Sequence, residues 1–333
     1  MPVANIHSLG IIGTGAWGTA LAVAAKRCEL DVRMWGRRAD VADSLARGDG
    51  NPVYLPGIAL PAVPASVDAS ILSDVDAILA VAPAQHMRDV LQEAAPDIPA
   101  GVPVLICAKG IEQSSLKMIT DVLRETIPTA VPGVLSGPSF AHDVAKGLPT
   151  AVTLACADEP LGRALVTAIG QQSFRPYWTG DVVGAEVGGA VKNVLAIACG
   201  IVEGLALGKS AHAALLSRGF AEMRRLGIAL GAEETTLSGL SGLGDLVLTC
   251  SSNQSRNMSF GIALGRGQTA AEILTGRGTV TEGVATAPAL TKLAELHDVE
   301  MPICRAVDHI LSGDITIKEA IQALLERPFK GEI

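Results

Sequence analysis

A chain of 333 residues exceeds what one hydrophobic core ordinarily serves, so two domains are expected. Apolar residues make up 49% of it and aromatic residues only 3%, which gives a well-filled aliphatic interior and too few rings to stack bases or form a sugar platform. The formal net charge of -8 argues against nucleic acid and anionic membranes as partners, while an anionic small molecule remains open if a few cations gather in one cleft.

The apolar run at residues 6–12 reads as a buried strand, and an alanine-rich stretch at 19–26 reads as a helix. Between them stands Gly13-Thr14-Gly15-Ala16-Trp17-Gly18. A GxGxxG in that setting is the turn that binds a dinucleotide. Gly13 permits the tight turn, Gly15 lets the backbone approach a pyrophosphate, and Gly18 lets helix and strand pack closely. The helix N-terminus offers its N–H groups and positive dipole end to the phosphates. The second strand, 32–35, runs into Gly36-Arg37-Arg38, with no acidic residue to bind the ribose hydroxyls of NAD. Arg37 and Arg38 can pair instead with a 2′-phosphate, so the sequence leans to NADPH, with NADH use left open.

Further strand-like runs lie at 77–82, 102–108, 133–135, 151–156 and 173–178. Helical patterns fall between them at 86–94, at 114–126 and after Asp158, where Pro160 marks a first turn. This alternation predicts a mostly parallel sheet covered by helices. From about residue 181 helical periods take over, at 184–207, 213–230, 285–296 and 317–325, the last opened by a capping box from Thr316 to Glu319. A polar, glycine-rich passage at 238–267 separates two of them. The expected fold is α/β: a Rossmann-like, mostly parallel sheet domain over 1–185, then an all-helical substrate and catalytic domain over 186–333.

Six scattered cysteines without a CxxC or Cys/His cluster point to a reduced compartment and no zinc site. No basic, apolar leader opens the chain, so a cytoplasmic location is expected. The apolar segment at 190–207 carries Lys192, Asn193 and Glu203 and reads as a buried helix, not a membrane span.

Lys192 has Gly188, Gly189, Leu195 and Ala196 three and four residues away, so no local carboxylate can pair with it. Most lysines on apolar helices snorkel to solvent. The alternative is a general acid or base whose pKa falls through burial and nearby cations, with room beside the small residues for something to approach the amine. Ser255-Arg256-Asn257 combines a hydroxyl, a guanidinium fork and an amide, a phosphate clamp if it is not a solvated loop. Asp245 sits among glycines, either as a turn residue or as a holder of a lysine or a substrate hydroxyl. Lys109 ends a strand at the ligand-binding edge of the sheet, and the turn from Gly137 through Ser139 to Ala141 can present N–H groups to an anion. Short-chain reductase chemistry is excluded, because Tyr54 and Tyr177 are followed four residues later by Ile58 and Asp181 instead of lysine. No metal-ligand spacing, GxSxG elbow or GxxxxGK[ST] loop occurs.

In order along the chain, GTGAWGTALA (13–22), YLPG (54–57), AKG (108–110), SGPSFA (136–141), GGAVKNVLAIACGI (188–201), LSGLGDLVLTC (240–250), SRN (255–257) and VTEGV (280–284) resemble the bacterial-type NAD(P)-dependent glycerol-3-phosphate dehydrogenases. The resemblance implies reduction of dihydroxyacetone phosphate to sn-glycerol 3-phosphate for glycerophospholipid synthesis, with Lys192 as catalytic acid/base. It implies substrate contacts from Lys109, Gly137, Ser139, Lys192, Asp245, Ser255, Arg256 and Asn257. It implies cofactor contacts from Ala16, Trp17, Arg37, Lys109, Ala141, Arg256, Val280 and Glu282, beside Gly13, Gly15, Gly18 and Arg38. At Ala16 the family often has a hydroxyl or amide side chain, so here a phosphate contact falls to the backbone N–H. Two rival readings are a lysine-dependent 3-hydroxyacid or ketopantoate-type reductase, which recognises a carboxylate, and a non-catalytic dinucleotide sensor. The apolar faces of the helical half leave a homodimer open.

Overall fold

Strands that are apolar on both faces need helices on both faces, and the first half of the chain supplies them in alternation. The computed structural model describes residues 6–275 and 280–328. Its first half runs β1 (Ser8–Ile12), α1 (Ala16–Lys26), β2 (Asp31–Trp35), α2 (Ala39–Arg47), β3 (Ala65–Ser66), β4 (Ala77–Ala80), α3 (Met87–Ala94), β5 (Pro103–Ile106), α4 (Ile119–Thr126), β6 (Val131–Ser136), α5 (Ala141–Lys146), β7 (Thr150–Cys156), α6 (Glu159–Ile169) and β8 (Phe174–Thr179). The strands form one sheet in the order β3-β2-β1-β4-β5-β6-β7-β8, parallel throughout except where β6 meets β7. β4 and β5 are buried at every position. β3 has two residues, too few to leave a pattern, and has no counterpart in the sequence reading.

The second half is helical among the described residues: α7 (Val182–Gly204), α8 (Lys209–Ala229), α9 (Glu234–Leu237), α10 (Asp245–Ser251), α11 (Arg256–Gly265), α12 (Ala270–Thr275), α13 (Glu282–Leu296), α14 (Pro302–Ser312) and α15 (Ile317–Leu325). The expected capping box is present on α15, where Thr316 Oγ1 accepts from the Glu319 N–H and the Glu319 carboxylate accepts from the Thr316 N–H. Asp158 likewise caps α6 through the Leu161 N–H.

α7 is long and apolar enough to cross a membrane, yet its apolar stretch lies wholly inside the protein. It serves two cores in succession. Val182 and Ala185 pack with Ile78, Val104 and Val134 of the sheet, whereas Val187 and the residues after it pack with Leu246, Phe260 and Leu290. Glu186 fixes the junction by accepting from the N–H (2.9 Å) and hydroxyl (2.6 Å) of Thr120, which caps α4 from outside. Burial outweighs these two donors and pushes the Glu186 carboxyl up to about 7.

Two sequence expectations need correction. The helix anticipated at 114–126 begins only at Ile119, because the preceding residues form a strap. Ile111 bridges Met118, Leu116 takes a left-handed φ of 59°, and buried Glu112 is held by Arg88 at 2.8 Å. The passage at 238–267 is largely helical, with a π-helical turn at Leu240–Gly244 followed by α10 and α11. Gly242, Gly261 and Gly265 serve close packing there: a Cβ on Gly242 would stand 1.9 Å from the Leu237 carbonyl oxygen.

Close packing also joins α7 to α11. A Cβ on Gly261 would lie 2.1 Å from the Ile197 carbonyl oxygen and 2.9 Å from Gly200 Cα, and Gly204 faces Gly265 in the same way. We therefore expect Gly261→Ala to destabilise the protein by about 2–3 kcal/mol through overpacking. Thermal unfolding checks this, and an unchanged Tm would mean that the two helices separate without cost.

Candidate active site

The turn after β1 is built for an anion. Gly13 has φ +114° and donates its N–H to the Trp35 carbonyl at 2.7 Å, tying the turn to the end of β2. No atom lies within 4 Å of where a Gly15 Cβ would be, whereas a Cβ on Gly18 would lie 2.0 Å from the Gly13 carbonyl oxygen. α1 starts at Ala16, earlier than the sequence suggests, so Ala16, Trp17 and Gly18 form its first turn. No side chain caps that turn and no acid stands in it. Its N–H groups and the positive end of the helix dipole therefore face outward together, an arrangement that fits a dinucleotide pyrophosphate.

Arg37 and Arg38 follow β2 at the same edge of the sheet. Arg37 pairs with Glu93 of α3 at 2.7 Å. Arg38 pairs with Asp40 at 2.6 Å and lies over the Tyr54 ring, 5.9 Å from its centroid. Neither arginine touches the lysine cluster described next.

That cluster is assembled from four segments. α7 carries Lys192, α10 carries Asp245 and Thr249, the loop after β5 carries Lys109, and the loop after β6 carries Gly137 and Ser139. Lys192 Nζ donates to Asp245 Oδ1 at 2.6 Å and to Thr249 Oγ1 at 2.9 Å. Lys109 Nζ donates to Asp245 Oδ2 at 2.7 Å and to the Gly137 carbonyl at 3.1 Å. Ser139 Oγ donates to that same carbonyl at 3.0 Å. One buried carboxylate thus holds two ammonium groups. Burial lowers the pKa of Lys192 to about 8; Lys109 adds to the fall and Asp245 opposes it. For Asp245, burial alone would raise the pKa, but the two lysines more than offset it and hold the carboxyl below its usual range.

Glycines set the spacing here. Gly137 has φ +148°, and a Cβ there would lie 2.9 Å from Val152 Cα. The sequence suggests open room beside Lys192 at Gly188 and Gly189, and the structure fills it with protein. A Cβ on Gly188 would lie 2.4 Å from the Ser241 carbonyl oxygen, and one on Gly189 would lie 3.3 Å from Lys109 Cγ. The small residues bring the π-helical turn that leads into α10, and Lys109, up to α7, which is how the amine meets its partners.

A second polar chain braces the cluster. Asn193 donates to the Lys109 carbonyl at 2.9 Å, Asn257 donates to the Asn193 side-chain oxygen at 2.8 Å, and the Gly283 N–H donates to the Asn257 side-chain oxygen at 3.0 Å. Ser255 caps α11 by accepting from the Met258 N–H at 3.1 Å. Of the three residues read as a clamp, then, the hydroxyl and the amide are engaged in positioning; Arg256 is the exposed first residue of the helix.

Glu282, in the first turn of α13, accepts from the Ala84 N–H at 3.1 Å and lines a small cavity with Val280, Thr286 and Ala84. Burial raises its pKa, against the opposing charge of Arg256, Lys109 and Lys192. Ala141 opens α5, whose N-terminus also lacks a side-chain cap. The structure therefore gathers Lys192, Asp245, Lys109, Gly137 and Ser139, with Arg256 and Glu282 nearby. Sequence reasoning missed Thr249 and the bracing role of Asn193. The only signals for them were the helical spacing from Asp245 to Thr249 and the adjacency of Asn193 to Lys192.

Residues 8–161 match the model of the NAD-dependent glycerol-3-phosphate dehydrogenase N-terminus, and residues 181–322 match that of its C-terminus. A protein of Maricaulis maris named glycerol-3-phosphate dehydrogenase [NAD(P)+] is 61% identical over 328 residues, covering 98% of each chain. The crystal structure of glycerol-3-phosphate dehydrogenase from Coxiella burnetii superposes with a TM-score of 0.91 at 40% identity, covering 97% of this chain and 99% of that one. A ketopantoate reductase from Ralstonia eutropha shares the fold alone, with a TM-score of 0.59 at 14% identity. With both halves of one family matched across these elements, the chain belongs to the NAD-dependent glycerol-3-phosphate dehydrogenases.

Proposed function

We propose that the chain reduces dihydroxyacetone phosphate reversibly to sn-glycerol 3-phosphate, the backbone of glycerophospholipids, using NADPH in preference to NADH. The observation that carries the reading is the buried Asp245, with Lys192 on one oxygen and Lys109 on the other. The bound dinucleotide supplies a hydride. Lys192 does the proton work: as charge gathers on the ketone oxygen its ammonium stabilises that charge and donates the proton, and in the reverse direction the amine takes the proton back. Asp245 and Thr249 aim Nζ, while Lys109 and Arg256 provide the positive field for a phosphate dianion. Arg37 and Arg38 favour a 2′-phosphate on the cofactor. The six free thiols accord with a reducing cytoplasm. A homodimer through the helical half is supported by its exposed apolar side chains, Ile228, Val247 and Leu296 among them.

Loss of NADPH absorbance on adding dihydroxyacetone phosphate tests the reaction, with ketopantoate as the control substrate. Turnover of ketopantoate alone would move the chain to the carboxylate-recognising reductases, and turnover of neither would leave a sensor. The pH profile tests the acid. Reduction needs protonated Lys192, so its kcat is expected to fall as pH rises through about 8, while oxidation of glycerol 3-phosphate gains over the same interval. Flat profiles in both directions would remove Lys192 from the proton transfer.

A further inference from the structure

The two arginines after β2 are held differently. Arg38 finds its carboxylate two residues away, on Asp40, and rests on Tyr54. Arg37 is reached by a carboxylate from another element: both its Nε (3.1 Å) and its Nη2 (2.7 Å) donate to Glu93 Oε2, on α3, 56 residues along the chain. The fork that would grip a phosphate is therefore already engaged. We propose that Glu93 is a specificity-determining residue that competes with the 2′-phosphate of NADPH for Arg37 and thereby keeps NADH in use; this rests on the reading that Arg37 meets that phosphate.

The physical argument is one of exchange. The Arg37–Glu93 pair is about half exposed on both sides, 53% and 48%, and such pairs contribute little, so a phosphate dianion displaces the carboxylate. The displacement still has a cost. Glu93 loses its partner and leaves a negative charge beside a phosphate of the same sign. NADH carries a hydroxyl at that position and leaves the pair intact. Glu93 thus penalises one cofactor and is indifferent to the other, and neutralising it removes the penalty without touching the lysine cluster.

The test compares both cofactors in the purified enzyme. Glu93→Gln is expected to raise kcat/KM for NADPH about three- to tenfold at low salt, with kcat/KM for NADH and the KM for dihydroxyacetone phosphate within about twofold of the parent. The gain should shrink as salt is added. An equal change for both cofactors, or no change for either, would overturn the proposal. Arg37→Ala run in parallel separates the two levels. If it leaves NADPH use untouched, the underlying reading of Arg37 fails. If it impairs NADPH use while Glu93→Gln shifts nothing, only the competition is wrong.

Discussion

Lys192→Ala is expected to lower kcat about 10³- to 10⁴-fold while the enzyme still binds its dinucleotide. The magnitude follows from losing two things at one atom, a general acid and the charge that stabilises the developing alkoxide. Binding survives because the glycine turn and the arginines after β2 belong to other elements and share no contact with Lys192. The substitution also leaves Asp245 with Lys109 as its one cationic partner and opens space in α7, so part of any loss could come from a disturbed centre. Lys192→Met keeps the aliphatic stem and fills that space. An equal loss in both variants assigns the effect to the amine. Added methylamine should restore some turnover to the alanine variant and none to the methionine variant, whose side chain occupies the gap. Near-normal kcat in either variant would sink the mechanism.

Arg256→Ala is expected to raise the KM for dihydroxyacetone phosphate about 10²-fold and to lower kcat far less. Charge-assisted, forked contacts to phosphate are the strong class of hydrogen bond, and removing the guanidinium leaves Lys109 and the N-terminus of α11 to hold the dianion. The Tm of the variant is read alongside, so that a change in KM at unchanged Tm assigns the loss to phosphate binding. Arg256→Lys should recover only part of the affinity, since an ammonium is a point charge and cannot form the fork. An unchanged KM in the alanine variant would place the phosphate elsewhere.

The sheet was legible in the sequence because parallel strands covered on both faces leave continuous apolar runs, as in β4 and β5. The glycine turn was legible because its residues are contiguous. The partners of Lys192 were not, since Asp245 and Thr249 lie 53 and 57 residues downstream and Lys109 meets Asp245 across 136 residues. Each was identified as a chemical type without its neighbour. Gly242, Gly261 and Gly265 misled for a related reason. A glycine that admits a backbone into van der Waals contact looks the same in sequence as one that permits a turn, and only the approach of α10 and α11 to α7 tells them apart. The same ambiguity made Gly188 and Gly189 look like space for a ligand.

The division of α7 between two cores bears on how such an enzyme can change over evolutionary time. The first half of the chain contributes Lys109 and the second contributes Asp245, Lys192 and Asn193, whose amide reaches back to the Lys109 carbonyl. Severed after the sheet, the helical half would keep a buried aspartate short of one ammonium and an asparagine short of its acceptor. The sheet half would lose the carboxylate that anchors its lysine. Exchanging one half for a partner that lacks the matching lysine or carboxylate therefore breaks charge balance at the reacting centre, however well each half folds. The exposed arginines after β2 and the carboxylate of α3 that faces one of them bear no such shared debt, so a change there leaves the charge balance of the centre intact.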